Sequence, residues 1–206
     1  MDTPDLLFDG PADAPTVVLA HGAGAPMDSP FMNAMAAGLA AAGVRAARFE
    51  FPYMHRRRSG ERKPPDREPV LREAWKTVIA ALGGGERLVI GGKSMGGRMA
   101  SLVADEAGVR GLVCLGYPFH PPDKPERLRT AHLKDLRTPA LIVQGTRDLF
   151  GTPAEVAAYE LSPAIRVEWM EDGDHSFKPR VSSGRTEKGN LEAAVAAMVG
   201  FVEGLS

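Results

Sequence analysis

The stretch Leu88-Val89-Ile90-Gly91-Gly92-Lys93-Ser94-Met95-Gly96-Gly97-Arg98-Met99 decides how this chain is read. A short apolar run meets Gly92-Lys93-Ser94-Met95-Gly96, and a segment of helical character follows. The G-x-S-x-G nucleophile elbow requires this strand–turn–helix context. A serine on so sharp a turn sits in strained backbone, and side chains two residues to either side of it would collide with their surroundings. Glycine lacks Cβ and removes the collision. A helix starting near Met95 directs its free N–H groups toward the serine, with the positive end of the helix dipole behind them. That suits a site where negative charge develops on a substrate oxygen. The alternative is a glycine turn that merely joins a strand to a helix, and the rest of the chain has to decide.

Outward from this stretch, apolar runs alternate with helical patterns. Thr16–Ala20, Val44–Phe51, Leu88–Gly91, Gly111–Leu115, Ala140–Gln144 and Ile165–Trp169 read as strands. Ser29–Ala42, Pro69–Leu82, Gly96–Glu106, Pro153–Tyr159 and Gly189–Val202 read as helices. In the second, Leu71, Trp75, Val78 and Leu82 share a face; in the last, Leu191, Val195, Met198 and Val202 do. Strands separated by helices imply parallel βαβ units with right-handed crossovers. Too few units are present for a closed barrel. The prediction is an α/β fold: a doubly wound, mostly parallel sheet of six strands with helices on both faces. Asp5–Gly10 offers a seventh, short edge strand. No linker or repeat interrupts residues 1–206, which are expected to form one domain. Arg56–Glu68, with six basic and three acidic residues around Pro64-Pro65, reads as a polar loop. It is either plainly solvated or a rim that attracts an anionic group on a substrate.

A serine hydroxyl needs a base, and the base needs an orienting carboxylate. In the elbow arrangement the chain order is serine, acid, histidine. Gly145-Thr146-Arg147-Asp148 follows one later strand, and Gly173-Asp174-His175 follows the next. Ser94, Asp148 and His175 would then meet at one sheet edge as nucleophile, orienting acid and base. The oxyanion donors expected are the N–H of Met95 and one from His21-Gly22-Ala23-Gly24, with Ala23 first and Gly24 second. His21 is read as a residue that fixes this loop. Tyr53, Tyr117, Phe119 and His120 follow strand ends and are candidate substrate-binding residues, with ordinary loop packing as the equal alternative.

Taken together, Leu19-Ala20-His21-Gly22-Ala23-Gly24, Gly92-Lys93-Ser94-Met95-Gly96-Gly97, Gly145-Thr146-Arg147-Asp148 and Gly173-Asp174-His175 resemble the α/β-hydrolase superfamily over nearly the full length. Within it the chain is most similar to the small, capless, dienelactone-hydrolase-like group. Phe49-Glu50-Phe51-Pro52-Tyr53-Met54 and Gly116-Tyr117-Pro118-Phe119-His120-Pro121-Pro122 resemble a branch containing testis-expressed and NSL-complex-subunit proteins. The resemblance implies the triad Ser94, Asp148, His175 and no large cap domain. Dienelactone hydrolases proper carry cysteine where this chain has Ser94, so that substrate is not implied.

Composition narrows the field. The 206 residues are 44% hydrophobic and 25% charged, with a net charge of −1, which gives no global case for nucleic acid. The single cysteine, Cys114, rules out an intrachain disulfide or a cysteine metal cluster, and its apolar neighbours read as a buried strand. The five histidines show no metal-ligand spacing. Met1-Asp2-Thr3-Pro4-Asp5 carries no basic, apolar leader, so a cytoplasmic protein without membrane contact is expected. Gly92-Lys93-Ser94 resembles the end of a phosphate loop, but Arg87 stands where that motif needs glycine. Gly22-Ala23-Gly24 resembles a dinucleotide fingerprint, but Met27 occupies its third glycine position. The expected function is a serine hydrolase acting on a small-molecule carboxylic ester or thioester, needing no cofactor, as a monomer or homodimer. The alternative is a binding or scaffold protein that keeps the fold without useful turnover.

Overall fold

The structure, a computed structural model, describes residues 5–61 and 63–205. Arg62 of the basic segment and Met1–Pro4 of the N-terminus lie outside them. In chain order the elements are β1 (Leu6–Asp9), β2 (Thr16–Ala20), α1 (Pro30–Ala41), β3 (Arg45–Phe49), α2 (Pro52–Arg58), α3 (Glu68–Ala81) and β4 (Leu88–Lys93). Then come α4 (Met95–Ser101), α5 (Ala104–Ala107), β5 (Gly111–Leu115), β6 (Ala140–Gly145), α6 (Pro153–Val156), β7 (Ile165–Met170) and α7 (Glu187–Gly204).

The strands form one seven-stranded sheet in the order β1-β3-β2-β4-β5-β6-β7. β1 is antiparallel to β3, and every other pair is parallel. β4, β5 and β6 are buried at every residue, as strands covered on both faces must be. β7, at the edge, alternates between exposed and part-buried residues until Met170. Side-chain alternation divides the core. Val18, Ala20, Ile90, Leu112, Cys114 and Ile142 pack with Leu71, Trp75 and Val78 of α3 and Met99 and Ala100 of α4. Val17, Leu19, Val89, Val113, Leu115, Leu141 and Val143 pack with Met32, Met35 and Leu39 of α1 and Ala194, Met198 and Val202 of α7. This is the doubly wound sheet expected, with helices on both faces.

Three local readings change. Residues 52–58 are helical, not loop. Pro52 sits at the first turn after an extended Phe51, where its missing N–H costs nothing. His55, Arg56, Arg57 and Arg58 then fall in the last turn, where cations suit the helix dipole. The elbow helix stops at Ser101, because Leu102 and Val103 N–H groups bond to carbonyls three residues back and tighten the turn. On α7 the buried row is Asn190, Ala194, Met198 and Val202, while Leu191 and Val195 are half-buried beside α1.

Candidate functional site

Ser94 closes β4 and opens α4 with φ 50° and ψ −112°, outside the regions that suit a side chain. Its neighbours make that possible. A Cβ on Gly92 would lie 2.1 Å from the Ala20 carbonyl oxygen, and one on Gly96 would lie 2.4 Å from the same oxygen. Glycine at both positions lets the elbow nest against β2. Met95 begins α4, so its N–H belongs to the first turn, which has no intrahelical acceptor.

Asp148 is fully buried in the turn after β6. One carboxylate oxygen accepts from Phe150 N–H at 2.9 Å. The other meets His175 Nδ1 at 2.7 Å and accepts from Gln144 Nε2 at 2.9 Å. His175 Nε2 lies 2.9 Å from Ser94 Oγ. An ionised carboxylate only accepts, so the shared proton sits on Nδ1 and the Nε2 lone pair faces the serine hydroxyl. Burial holds the His175 pKa below the ordinary imidazole value, against the raising effect of the Asp148 hydrogen bond, and the Lys93 charge lowers it further. His175 is therefore neutral near pH 7. The Phe150 ring lies 4.3 Å from the His175 ring, centroid to centroid.

The loops that carry Asp148 and His175 are joined to each other. Thr146 N–H donates to the Met170 carbonyl at 3.0 Å and Arg147 N–H to that of Gly173 at 2.9 Å. Asp172 N–H donates to Thr146 Oγ1 at 2.8 Å. Two supporting residues escaped the sequence reading. Gln144, fully buried, accepts from Tyr117 N–H at 2.7 Å while its amide donates to Asp148. Asn190 of α7 donates to the carbonyls of Glu171 and Phe177, on either side of His175. Their signal was a polar amide within an apolar row, since buried amides are kept only where they are satisfied.

The loop after β2 is tied down by the residues around it. His21 Nε2 accepts from Phe51 N–H at 3.1 Å, and its Nδ1 lies 2.6 Å from the Gly22 carbonyl. The Tyr53 hydroxyl donates to the Ala23 carbonyl at 3.0 Å. Ala23 and Gly24 are exposed. Tyr53, Tyr117, Phe119 and His120 are all buried, so none presents its side chain at an open surface. The Tyr117 hydroxyl donates to the Arg129 carbonyl at 2.9 Å, and His120 Nδ1 lies 2.8 Å from that of Pro121. These four pack and brace the loops. The arginines of 56–58 are engaged as well. Arg56 pairs with Asp66 at 2.6 Å, and Arg58 bridges Glu50 and Asp28, each at 2.7 Å. Arg57 donates to the Lys63 carbonyl at 2.8 Å. Much of the charge proposed to attract an anionic substrate is thus neutralised within the chain.

A second serine–histidine contact lies at the far end of α4, where Ser101 Oγ is 2.8 Å from His132 Nε2. Ser101 also donates its proton to the Arg98 carbonyl at 2.7 Å. Among the described residues no three His, Cys, Asp or Glu side chains are arranged to hold a metal ion, and no helix is long and apolar enough to cross a membrane.

A family model described as an alpha/beta hydrolase domain matches residues 13–203. Among solved structures, a lidless a/b serine hydrolase from Xanthomonas campestris is 19% identical, with a TM-score of 0.68, covering 94% of this chain and 88% of its own. A dienelactone hydrolase from Anabaena variabilis is 21% identical, with a TM-score of 0.70 over 95% of this chain and 90% of that one. Est1E from Butyrivibrio proteoclasticus, in a structure with ferulic acid bound, is 13% identical, with a TM-score of 0.70 over 97% and 95% of the two chains. At these identities the likeness is one of fold.

Proposed function

Since the chain belongs to the alpha/beta hydrolase family, we propose that it is a serine hydrolase that cleaves a carboxylic ester or thioester through an acyl-enzyme on Ser94. The observation that carries this is the unbroken hydrogen-bond chain from buried Asp148 through His175 to a serine at φ 50°. Ser94 Oγ attacks the substrate carbonyl while His175 Nε2 takes its proton. Asp148 holds the ring in the tautomer that can accept and stabilises the imidazolium formed. The N–H groups of Met95 and Ala23 hold the oxyanion, with Gly24 as the alternative donor beside Ala23. Collapse expels the alcohol or thiol, which receives the proton from His175. Water, activated by the same histidine, then releases the acid. The scheme needs no cofactor.

Ser94 is part-exposed, and among the described residues the connections after β3 and β5 carry no large inserted cap. This fits a small acyl substrate. A fluorophosphonate probe followed by peptide mass spectrometry tests the reading. The expected result is one adduct, on Ser94. A folded protein that stays unlabelled, and that turns over p-nitrophenyl esters no faster than its Ser94→Ala variant, would instead be a binding protein on a hydrolase scaffold.

A further inference from the structure

Alternation along β4 sends Val89, Gly91 and Lys93 toward the face covered by α1 and α7, where Val89 packs among Leu19, Val113 and Leu141. Lys93 therefore occupies a row built for apolar side chains. Its residue exposure is only 9%. Its ammonium is enclosed and makes no hydrogen bond among the described residues. The Phe31 ring of α1 lies 5.6 Å from Nζ. At the end of β5, Gly116 leaves a notch: a Cβ there would lie 3.0 Å from Lys93 Nζ and 3.2 Å from His175 Nδ1. The titratable groups facing the ammonium are Asp148 from the β6 loop and Asp174 and His175 from the β7 loop, and α1 adds only the uncharged ring.

An unpaired cation in an apolar layer is costly, and a methionine of similar length would fill the same space without the charge. The field of the ammonium at the His175–Asp148 pair offers a reason for its presence. We propose that Lys93 is a positioning residue for the base: its charge, enclosed beside the imidazole, opposes protonation of His175 and so sets the conditions under which His175 can take the Ser94 proton. This rests on the reading of Ser94 and His175 as nucleophile and base.

The sign follows from like charges. A cation next to the imidazole disfavours the imidazolium, so the acid limb of activity lies lower than it would without Lys93. Burial pulls the Lys93 pKa down to about 8, against the opposing pull of Asp148 and Asp174. Above that value the neutral amine no longer opposes proton uptake at Nε2, and the more basic imidazole takes the Ser94 proton faster. The wild type should therefore show two rises with pH. The first follows His175 and the second follows Lys93, the latter about threefold in size.

The test is the second-order rate of fluorophosphonate labelling at Ser94 from pH 5 to 10, in the wild type and in Lys93→Met. In the variant the acid limb should move up by about one pH unit, and the second rise should disappear. A variant profile that superimposes on the wild type, or shifts downward, overturns the proposal. Asp174→Asn gives a route that leaves Lys93 in place: loss of a facing anion should move the second rise to lower pH, and an unmoved rise also overturns the proposal. Titration of the His175 ring by NMR reads the same coupling without any reaction at Ser94. A wild type that never labels sinks the Ser94 reading alone. Equal His175 midpoints in wild type and Lys93→Met sink the role of Lys93 alone.

Discussion

Two serine–histidine contacts flank helix α4, and their lengths barely differ: 2.9 Å for Ser94–His175 and 2.8 Å for Ser101–His132. What separates them is the course of the proton. Ser101 donates to the Arg98 carbonyl, so its oxygen can only accept from His132, whose Nε2 must carry a proton. Ser94 meets the unprotonated side of His175, whose other nitrogen is held by a buried carboxylate. Ser101 is the last residue of an ordinary helix and is buried, whereas Ser94 sits in strained backbone and is part-exposed. Burial, followed by the charge of Arg98, lowers the His132 pKa to about 4, leaving a poor base. A serine–histidine distance alone therefore does not mark a nucleophile. Proton direction, a third group and access do.

Removing each hydroxyl gives the widest separation. Ser94→Ala should lower ester turnover by about 10⁴-fold or more. Ser101→Ala should stay within about twofold and lose about 1 kcal/mol of stability in a urea titration. Comparable losses of turnover from both would break the distinction. Asp148→Asn should reduce kcat by about 10⁴-fold, because an amide donating to Nδ1 leaves the proton on Nε2 and gives His175 the tautomer His132 already has.

The tightness of the Ser94 seat can be measured by stability, against a helical glycine that touches nothing. Gly96→Ala should cost roughly 2–4 kcal/mol, since its Cβ would lie 2.4 Å from the Ala20 oxygen and 2.6 Å from that of His21. Gly200→Ala on α7, with open space around it, should instead gain about 0.5–1 kcal/mol of helix propensity. Urea midpoints of the two variants against wild type measure both.

The smallest effect concerns pH. His132 in the folded protein titrates near 4, below its ordinary value of 6.5. As pH falls from 6.5 toward 4 the unfolded chain binds a proton that the folded one refuses, so stability is lost in that window and not below it. His132→Gln should flatten this slope in urea midpoints measured from pH 7 to 4, with His21 and His175, and toward pH 4 carboxylates held low such as Glu155 and Asp172, supplying what remains. An unchanged slope would mean that His132 is not held neutral.

The fold was legible because β4, β5 and β6 each carry an apolar run that ends at a glycine turn, and such runs declare a sheet covered on both faces. The residues that meet at Ser94 were legible because the elbow, the acid and the histidine each follow a strand in a fixed order. The supports were not. Gln144 and Asn190 act through partners 4 to 27 residues away in sequence, and only the packed chain shows that their amides close on Asp148, Tyr117, Glu171 and Phe177. The basic segment stayed open to two readings for the opposite reason. Its charges suggested a ligand, while Glu50, Asp28 and Asp66 were waiting in the folded chain to pair with them.

The stitching between the β6 and β7 loops divides the three residues mechanically. Asp148 and His175 ride on one body, because β6–β7 pairing runs through Gly145 opposite Met170 and continues as hydrogen bonds in the loops beyond. Ser94 rides on another, with β5 standing between. A shear of the sheet would open the Ser94–His175 contact and leave the Asp148–His175 contact closed. Asp148 and His175 thus behave as a single jaw, and Ser94 is the anvil it meets.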